Sequence, residues 1–170
     1  TKVSAVQAKD VKEEFGNKIK YILDGGKCSI GIESTIIDLT TRPTVLRLGG
    51  LDVSKIQESL GFKVSIKINA KKKIVPGQSR LHYSPGIPLE MNVTNPKKNQ
   101  AYILIKKRKL QLSNYYYLSK NNNLKEAAKN LYSCLRTIKN RGYKSIAVEK
   151  IPDKGLGKAI NDRLNRASKF

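Results

Sequence analysis

Two hydroxyls and one guanidinium stand close together in the first third of the sequence. Ser34 and Thr35 precede the apolar run 36–39, and Arg47 ends the next apolar run. Hydroxyls bond to carboxylates or phosphates, and a planar guanidinium binds such groups through two parallel N–H bonds. Neighbouring strand ends would bring these side chains together. The segment therefore predicts a site for a small molecule that carries phosphate and carboxylate groups.

A proline-rich segment over residues 76–85 carries the only histidine of the chain. His82 and Tyr83 are adjacent in it. A segment that only spans a distance rarely needs an imidazole and a phenol, so one interpretation is a lid that closes over a site and excludes water. A tether packed on the surface is the alternative. Hydrolase chemistry is not indicated, because no GxSxG motif accompanies the histidine.

The chain has 170 residues and 39% hydrophobic content, which suits one domain or two small ones. Cys28 and Cys134 lie far apart without a metal-binding spacing, so neither a zinc site nor a disulfide framework is predicted. No apolar run approaches the roughly 18 residues that a membrane span needs. We therefore expect a protein of the reducing cytoplasm that makes no membrane contact.

The formal charge is +21, from 34 Lys and Arg against 13 Asp and Glu. A field of this sign attracts RNA and anionic nucleotides. The alternative is a lysine-rich composition without a binding role. Three consecutive tyrosines, 115–117, would alternate faces in a strand, so at least one of them is expected in a core.

Hydrophobic periodicity and turn residues predict a mixed α/β protein. Asp52 is a predicted helix N-cap, Gly16 and Gly142 are predicted helix ends, and Gly155 precedes a last helix in which Asp162 and Arg166 are spaced for an ion pair. In the second half, strands alternate with helices, which favours a small parallel sheet of doubly wound type. The predicted helices cover 6–15 (with Ala8, Val11 and Phe15 on one apolar stripe), 52–60, 124–141 and the last segment; the predicted strands cover 21–23, 31–39, 45–47, 64–68, 101–105, 115–118 and 145–148.

Four segments, taken in order, resemble the two-domain form of L-threonylcarbamoyladenylate synthase; they are residues 31–38, 46–50, 76–85 and 155–164. The resemblance implies a mixed α/β fold in three parts. Residues 1–70 would be the C-terminal part of a twisted mixed-sheet synthase domain, 71–98 a linker or lid, and 99–170 a small Rossmann-like parallel α/β domain.

The same resemblance implies a nucleotidyltransferase. It would form L-threonylcarbamoyladenylate and pyrophosphate from L-threonine, bicarbonate and ATP, with Mg²⁺, for the threonylcarbamoyladenosine modification of tRNA. A downstream threonylcarbamoyl transferase complex would receive the product. By similarity Ser34 lies near threonine, whereas Ser4, Arg47, His82 and Tyr83 belong to the nucleotide side of the site; no catalytic residue is assigned.

Two departures from the family pattern matter. Arg80 and Leu81 stand where the family linker commonly has tyrosine and arginine, which displaces the charge of the lid by one residue. The family also has a long N-terminal stretch before the position of Thr1. We therefore expect a fragment that is inactive without the missing N-terminal part of the synthase domain. The alternatives are a basic RNA-binding module of the same fold without catalysis and a poorly folded remnant.

Overall fold

Two β-sheets and four α-helices make up the part of the chain that the computed structural model describes, residues 2–69, 75–79 and 82–169. The result is a mixed α/β fold, as predicted. The helices are α1 (Ala8–Phe15), α2 (Val53–Leu60), α3 (Leu124–Asn140) and α4 (Leu156–Ala167); the strands are β1 (Ile36–Asp38), β2 (Thr44–Arg47), β3 (Ser65–Ile66), β4 (Leu89–Glu90), β5 (Ala101–Lys106), β6 (Tyr115–Ser119) and β7 (Ile146–Val148).

The first sheet has the order β1-β2-β3 and mixes strand directions. β1 runs antiparallel to β2, with Ile36 opposite Arg47, and β2 runs parallel to β3. Because the start of β1 faces the end of β2, the residues just before β1 lie beside Arg47. Helix α2 follows at once, and the Asp52 side chain accepts a hydrogen bond from the Ser54 N–H at 3.0 Å, which confirms the predicted N-cap.

The second sheet has the order β4-β7-β5-β6, and all its strand pairs are parallel. Among the described residues, both α3 and α4 pack into the apolar cluster on one face, and no helix residue belongs to the cluster on the other face. The prediction of a doubly wound sheet is wrong on this point. Residues 107–114, which connect β5 to β6, are too few to form a crossover helix.

The predicted strand at residues 21–23 is absent. Tyr21 is 80% exposed and Leu23 is 97% exposed. A strand requires a partner for its backbone groups, and no described strand pairs with this stretch. Tyr21 and Leu23 would be buried in a sheet only if a further strand lay beside them. The described residues do not provide that strand.

Helix α1 also differs from its prediction. The stripe of Ala8, Val11 and Phe15 was expected to face a core, but Phe15 is 47% exposed. The buried residue of this helix is Asp10, whose carboxylate accepts the Val6 N–H at 2.9 Å. A polar contact near the helix start therefore sets its orientation.

The bounds of the other predicted helices and strands match the observed bounds within two residues, with two exceptions. The predicted strand 31–39 is shorter in the structure and corresponds to β1, and β4 was not predicted. Tyr116 is buried in the main core, as expected for one of the three tyrosines. Helix α4 begins after Gly155, and its Arg166 pairs with Asp162 at 2.9 Å. No helix of the described residues is long and apolar enough to cross a membrane.

One buried ion-pair network joins the two sheets. The Arg163 side chain, 1% exposed, bonds to Glu33 at 3.1 Å and to Asp162 at 2.8 Å. It also donates to the Leu48 carbonyl at 2.6 Å. Arg163 lies on α4, whereas Glu33 and Leu48 flank the first sheet, so this guanidinium holds the two halves of the described structure together.

We expect Arg163→Met to lower the free energy of unfolding by about 3 kcal/mol, because the substitution leaves the Glu33 carboxylate without its cation, whereas Asp162 keeps its pair with Arg166. Urea unfolding followed by circular dichroism measures this change. The matched control is Lys9→Met, which removes the solvent-exposed pair between Lys9 and Glu13 and should change stability by no more than about 0.5 kcal/mol. Equal effects of the two substitutions would contradict a structural role for the buried pair.

Candidate functional site

The structure brings Ser34 and Arg47 into direct contact. The Arg47 guanidinium donates to the Ser34 hydroxyl at 3.0 Å and to the Ser34 carbonyl at 3.0 Å. Another of its N–H groups donates to the Pro76 carbonyl at 3.1 Å. A guanidinium has five N–H donors, so two have no partner among the described residues and can face a ligand beside the exposed Ser34 hydroxyl. This pair can bind a carboxylate or a phosphate.

The segment that carries His82 and Tyr83 lies against this pair. A Cβ placed on Gly77 would overlap the Tyr83 hydroxyl and would lie 3.2 Å from Cδ of Arg47. The phenol and the arginine stem therefore meet at Gly77, whose φ of +88° also favours glycine. The Tyr83 N–H donates to Nδ1 of His82 at 3.0 Å, and the two ring centroids are 4.0 Å apart.

Glu33 is the centre of a polar cluster directly behind Ser34. Its carboxylate accepts the Ser4 hydroxyl at 2.6 Å and the Tyr132 hydroxyl at 2.9 Å, in addition to Arg163. Burial by itself would raise the pKa of Glu33, but the Ser4 hydrogen bond and the Arg163 charge outweigh it, and the pKa lies below its ordinary value. Glu33 is therefore ionised at neutral pH.

Two aromatic contacts continue the cluster towards the lid segment. The Tyr83 ring stacks on Tyr132 with centroids 5.7 Å apart, and the Arg163 guanidinium lies 5.0 Å from the Tyr83 centroid. Burial lowers the pKa of His82, which favours the neutral imidazole at pH 7. A neutral imidazole whose Nδ1 already accepts a hydrogen bond presents Nε2–H as a donor.

Arg166 binds backbone carbonyls within the lid segment and just after β3. It donates to the Gln78 and Ser79 carbonyls at 3.1 Å each, and to the Ile68 carbonyl at 3.0 Å. Asp162 balances its charge. The ion pair that the spacing in α4 predicted therefore helps to position the lid segment beside Arg47.

The sequence-predicted residues divide into two groups. The first group lies together around Arg47 and consists of Ser34, Arg47 and Tyr83, with His82 beside them. The second is Ser4 alone, which donates its hydroxyl hydrogen to Glu33. Arg80 and Leu81, on which the altered lid depends, lie outside the described residues. Sequence reasoning missed Glu33, Tyr132 and Arg163; the positions of Glu33 and Arg163 inside the segments 31–38 and 155–164 were a signal, and Tyr132 had none.

A cavity of about 650 Å³ borders Asp162, Arg166 and Lys158 and contains neither Ser34 nor Arg47. The hydrogen bonds, and not enclosed volume, therefore identify the candidate site. In the described part of the chain, no three His, Cys, Asp or Glu side chains lie close enough to hold a metal ion.

We expect Gly49→Ala to disrupt the site, because a Cβ at this position would overlap the backbone of Ser34 and Thr35. Backbone atoms cannot move aside as a flexible side chain can, so the loop before β1 must shift away from Arg47. The expected result is a loss of at least about 2 kcal/mol in urea unfolding. Gly25→Ala is the matched control, since its Cβ meets nothing within 4 Å; a similar loss there would contradict the argument.

The stability contributed by Glu33 should depend on pH. Its folded-state pKa lies below the ordinary value of 4.5, so the contribution is complete above that pH and is lost as pH falls through the folded-state pKa. We therefore expect the difference in melting temperature between wild type and Glu33→Gln to be largest near pH 7 and to shrink below pH 4.5. Thermal unfolding from pH 7 to pH 3 measures it, and a difference that stays constant with pH would rule out the ionised carboxylate as its source.

Two family models match successive parts of the chain. Residues 51–169 match the family described as threonylcarbamoyl-AMP synthase, C-terminal domain, and residues 1–49 match the family described as telomere recombination. The chain is 34% identical to a threonylcarbamoyl-AMP synthase of Pyrococcus abyssi, covering 99% of this chain and 55% of that relative. It is 30% identical to a threonylcarbamoyl-AMP synthase of Schizosaccharomyces pombe, covering 99% of this chain and 50% of that protein.

A solved structure shows the same fold. The crystal structure of Pyrococcus abyssi Sua5 complexed with L-threonine superposes with a TM-score of 0.82 at 31% identity, covering 99% of this chain and 55% of that one. The chain thus spans about half the length of the relatives it matches. The family match over residues 51–169 shows that this chain belongs to the threonylcarbamoyl-AMP synthase family, of which it carries the C-terminal domain.

Proposed function

We propose that this chain is the C-terminal part of a threonylcarbamoyl-AMP synthase. The enzyme, a nucleotidyltransferase, would form L-threonylcarbamoyladenylate and pyrophosphate from L-threonine, bicarbonate and ATP for tRNA modification. The observation that carries the proposal is the bonded pair of Ser34 and Arg47 under the lid segment, in a fold that superposes on a relative crystallised with L-threonine.

The proposed reaction makes two bonds. The amino nitrogen of threonine bonds to the carbon of bicarbonate, with loss of water, and gives a carbamate. An oxygen of that carbamate then bonds to the α-phosphorus of ATP, and pyrophosphate leaves. Both steps bring anionic groups together, so a site for them needs fixed donors that offset negative charge.

We assign the substrate groups by the donors present. The Ser34 hydroxyl forms a hydrogen bond to threonine. The two N–H groups of Arg47 that have no partner among the described residues bind the nucleotide phosphates. Ser4 belongs to the nucleotide side, where its oxygen remains an acceptor because its hydrogen is committed to Glu33. The buried cluster behind Glu33 holds the loop of Ser34 rigid, which preserves the alignment of these donors.

His82 and Tyr83 form the proposed lid over the nucleotide. A carbamoyl–phosphate anhydride hydrolyses readily in water, so a segment that excludes water protects the product before it is delivered. Arg47 and Arg166 both bind carbonyls of this segment, at Pro76 and at Gln78 and Ser79. These contacts support a lid that is held against the site.

We propose three parts for the chain: the end of the catalytic domain over residues 1–70, the linker or lid over 71–98, and a small parallel α/β domain over 99–170, with its described helices on one face of the sheet and not on both as in a Rossmann-like domain. The two sheets support this division, although β4 of the second sheet belongs to the proposed linker. The exposed Tyr21 and Leu23 support a missing N-terminal part of the catalytic domain that covers them, without which we expect no activity.

Magnesium is proposed only as the ion that accompanies ATP. The described residues do not fit a metal centre of their own, so we assign it no ligand in this chain and no step. We further propose a cytoplasmic protein that delivers its product to a threonylcarbamoyl transferase complex. An RNA-binding module without catalysis is the second candidate, which the net charge of +21 favours.

A chimera tests the proposed function. The N-terminal part of the Pyrococcus abyssi relative that this chain does not match is fused to this chain, and adenylate formation is followed with radiolabelled threonine. We expect threonylcarbamoyladenylate and pyrophosphate that depend on ATP, bicarbonate and threonine. Replacing Arg47 by alanine should lower kcat/KM about 10- to 100-fold, because bonds to charged groups contribute about 1.5–3 kcal/mol.

The matched control is Arg42→Ala, at an exposed position outside the site, which should leave kcat/KM within about twofold. A folded chimera that forms no adenylate would contradict the synthase and favour the RNA-binding alternative. If Arg42→Ala lowered the rate as much as Arg47→Ala, general positive charge and not this guanidinium would be responsible.

A further inference from the structure

The second sheet has a face that no helix covers in the described residues. Side chains alternate along its strands, so that Tyr102, Leu104 and Lys106 of β5 and Tyr115 and Tyr117 of β6 share this face. The opposite side chains of the same strands pack under α3 and α4. We call this surface the helix-free face.

One edge of the helix-free face is strongly basic. The connection that leaves β5 begins with Lys107, Arg108 and Lys109, and these residues and Lys106 are exposed. Arg108 is engaged, because it pairs with Glu149 at 2.8 Å and lies over the Tyr102 ring at 5.9 Å. None of the ion pairs between described residues includes Lys106, Lys107 or Lys109, so these three ammonium groups are not neutralised by the protein.

Neighbouring strands extend the same edge. In a parallel sheet all strands end on one side, and Lys120 follows the end of β6 while Lys150 lies just beyond β7. Adjacent strands are about 4.8 Å apart. The two carboxylates nearby are occupied within the protein: Glu149 by Arg108 and the Ile105 N–H, and Glu126 by the Ser119 hydroxyl at 2.7 Å. The edge therefore presents a row of cations to an external anion.

Two tyrosines share the face that leads to this row: Tyr117 lies opposite Leu104, two residues before Lys106, and Tyr115 lies opposite Tyr102, two residues further from it. Tyr115 and Tyr117 are only partly buried, and their centroids are 6.4 Å apart with the rings nearly perpendicular. The Tyr117 hydroxyl is buried and has no hydrogen-bond partner among the described groups. Tyr102 and Leu104 on the same face are buried, whereas Tyr115 and Tyr117, on the edge strand β6, each keep part of their surface exposed. Partly exposed rings beside cations are suited to stacking unpaired bases.

We propose that the helix-free face binds single-stranded RNA, with the lysines of the edge on the phosphates and Tyr115 and Tyr117 against the bases. The positive charge favours a polyanion over a protein partner, and the rings favour unpaired bases over a duplex, whose bases are stacked on each other. This surface lies in the C-terminal sheet, away from Ser34 and Arg47. The proposal does not depend on synthase activity.

The test uses the 170-residue chain and a fluorescein-labelled single-stranded oligouridylate of about 12 nucleotides. Fluorescence anisotropy from 50 to 200 mM KCl gives the affinity and its salt dependence. We expect the variant Lys106→Gln, Lys107→Gln and Lys109→Gln to bind at least about tenfold more weakly at 100 mM KCl. Its log–log salt slope should be shallower by about 2, because three phosphate contacts are lost at about 0.7 each.

A matched variant separates this surface from the general charge of the protein. This triple variant removes the same charge from exposed positions outside the second sheet; it carries Lys12→Gln, Lys18→Gln and Lys63→Gln. It should leave the affinity for the oligouridylate within about threefold of wild type. Equal weakening by the two triple variants would overturn the proposal in favour of diffuse attraction. Absence of binding by wild type at 50 mM KCl would overturn it outright.

The ring contact has its own test. Tyr115→Leu with Tyr117→Leu should weaken binding at least about fivefold, whereas Tyr115→Phe with Tyr117→Phe, which retains the rings, should not. Circular dichroism and melting temperature show whether each variant is folded. If the phenylalanine variant binds as weakly as the leucine variant, or a duplex of equal length binds as tightly as the single strand, base stacking on this face is excluded.

Discussion

The buried pair of Glu33 and Arg163 is the interaction on which the described structure depends. Arg163 is removed from water and Glu33 is partly buried, which is costly, and each ion is compensated by several partners: Ser4 and Tyr132 for the carboxylate, Asp162 and the Leu48 carbonyl for the guanidinium. The pair joins α4 to the loop before β1. Because Ser34 is the next residue after Glu33, the contact that holds the two sheets together also sets the position of the candidate site.

A second constraint acts on the lid segment. Arg47 and Arg166 donate to backbone carbonyls of Pro76, Gln78 and Ser79 from two directions. A planar guanidinium can bind several oxygens at fixed angles, so the segment is oriented by two rigid groups and not by apolar contact alone. Tyr83, whose ring contacts both Tyr132 and Arg163, completes the attachment. The cluster behind Glu33 and the lid over Arg47 are thus one connected structure.

Much of the fold could be predicted because its signals are local. The N-cap Asp52, the helix starting after Gly155 and the ion pair within α4 each depend on residues less than two helical turns apart. The strand at 21–23 failed because pairing is a property of two segments, and hydrophobicity in one does not supply the other. The doubly wound sheet failed because periodicity locates strands and helices but not the face on which each helix packs.

For the site, the sequence by itself determined which chemical groups are available: the hydroxyl of Ser34, the guanidinium of Arg47 and the imidazole and phenol of the lid. The motif order was sufficient to identify the family. Only the tertiary structure decided which of these groups meet and what holds them. Glu33 finds Tyr132 and Arg163 at separations of 99 and 130 residues, and a contact across such distances depends on how both sheets pack. No spacing rule within one segment encodes it.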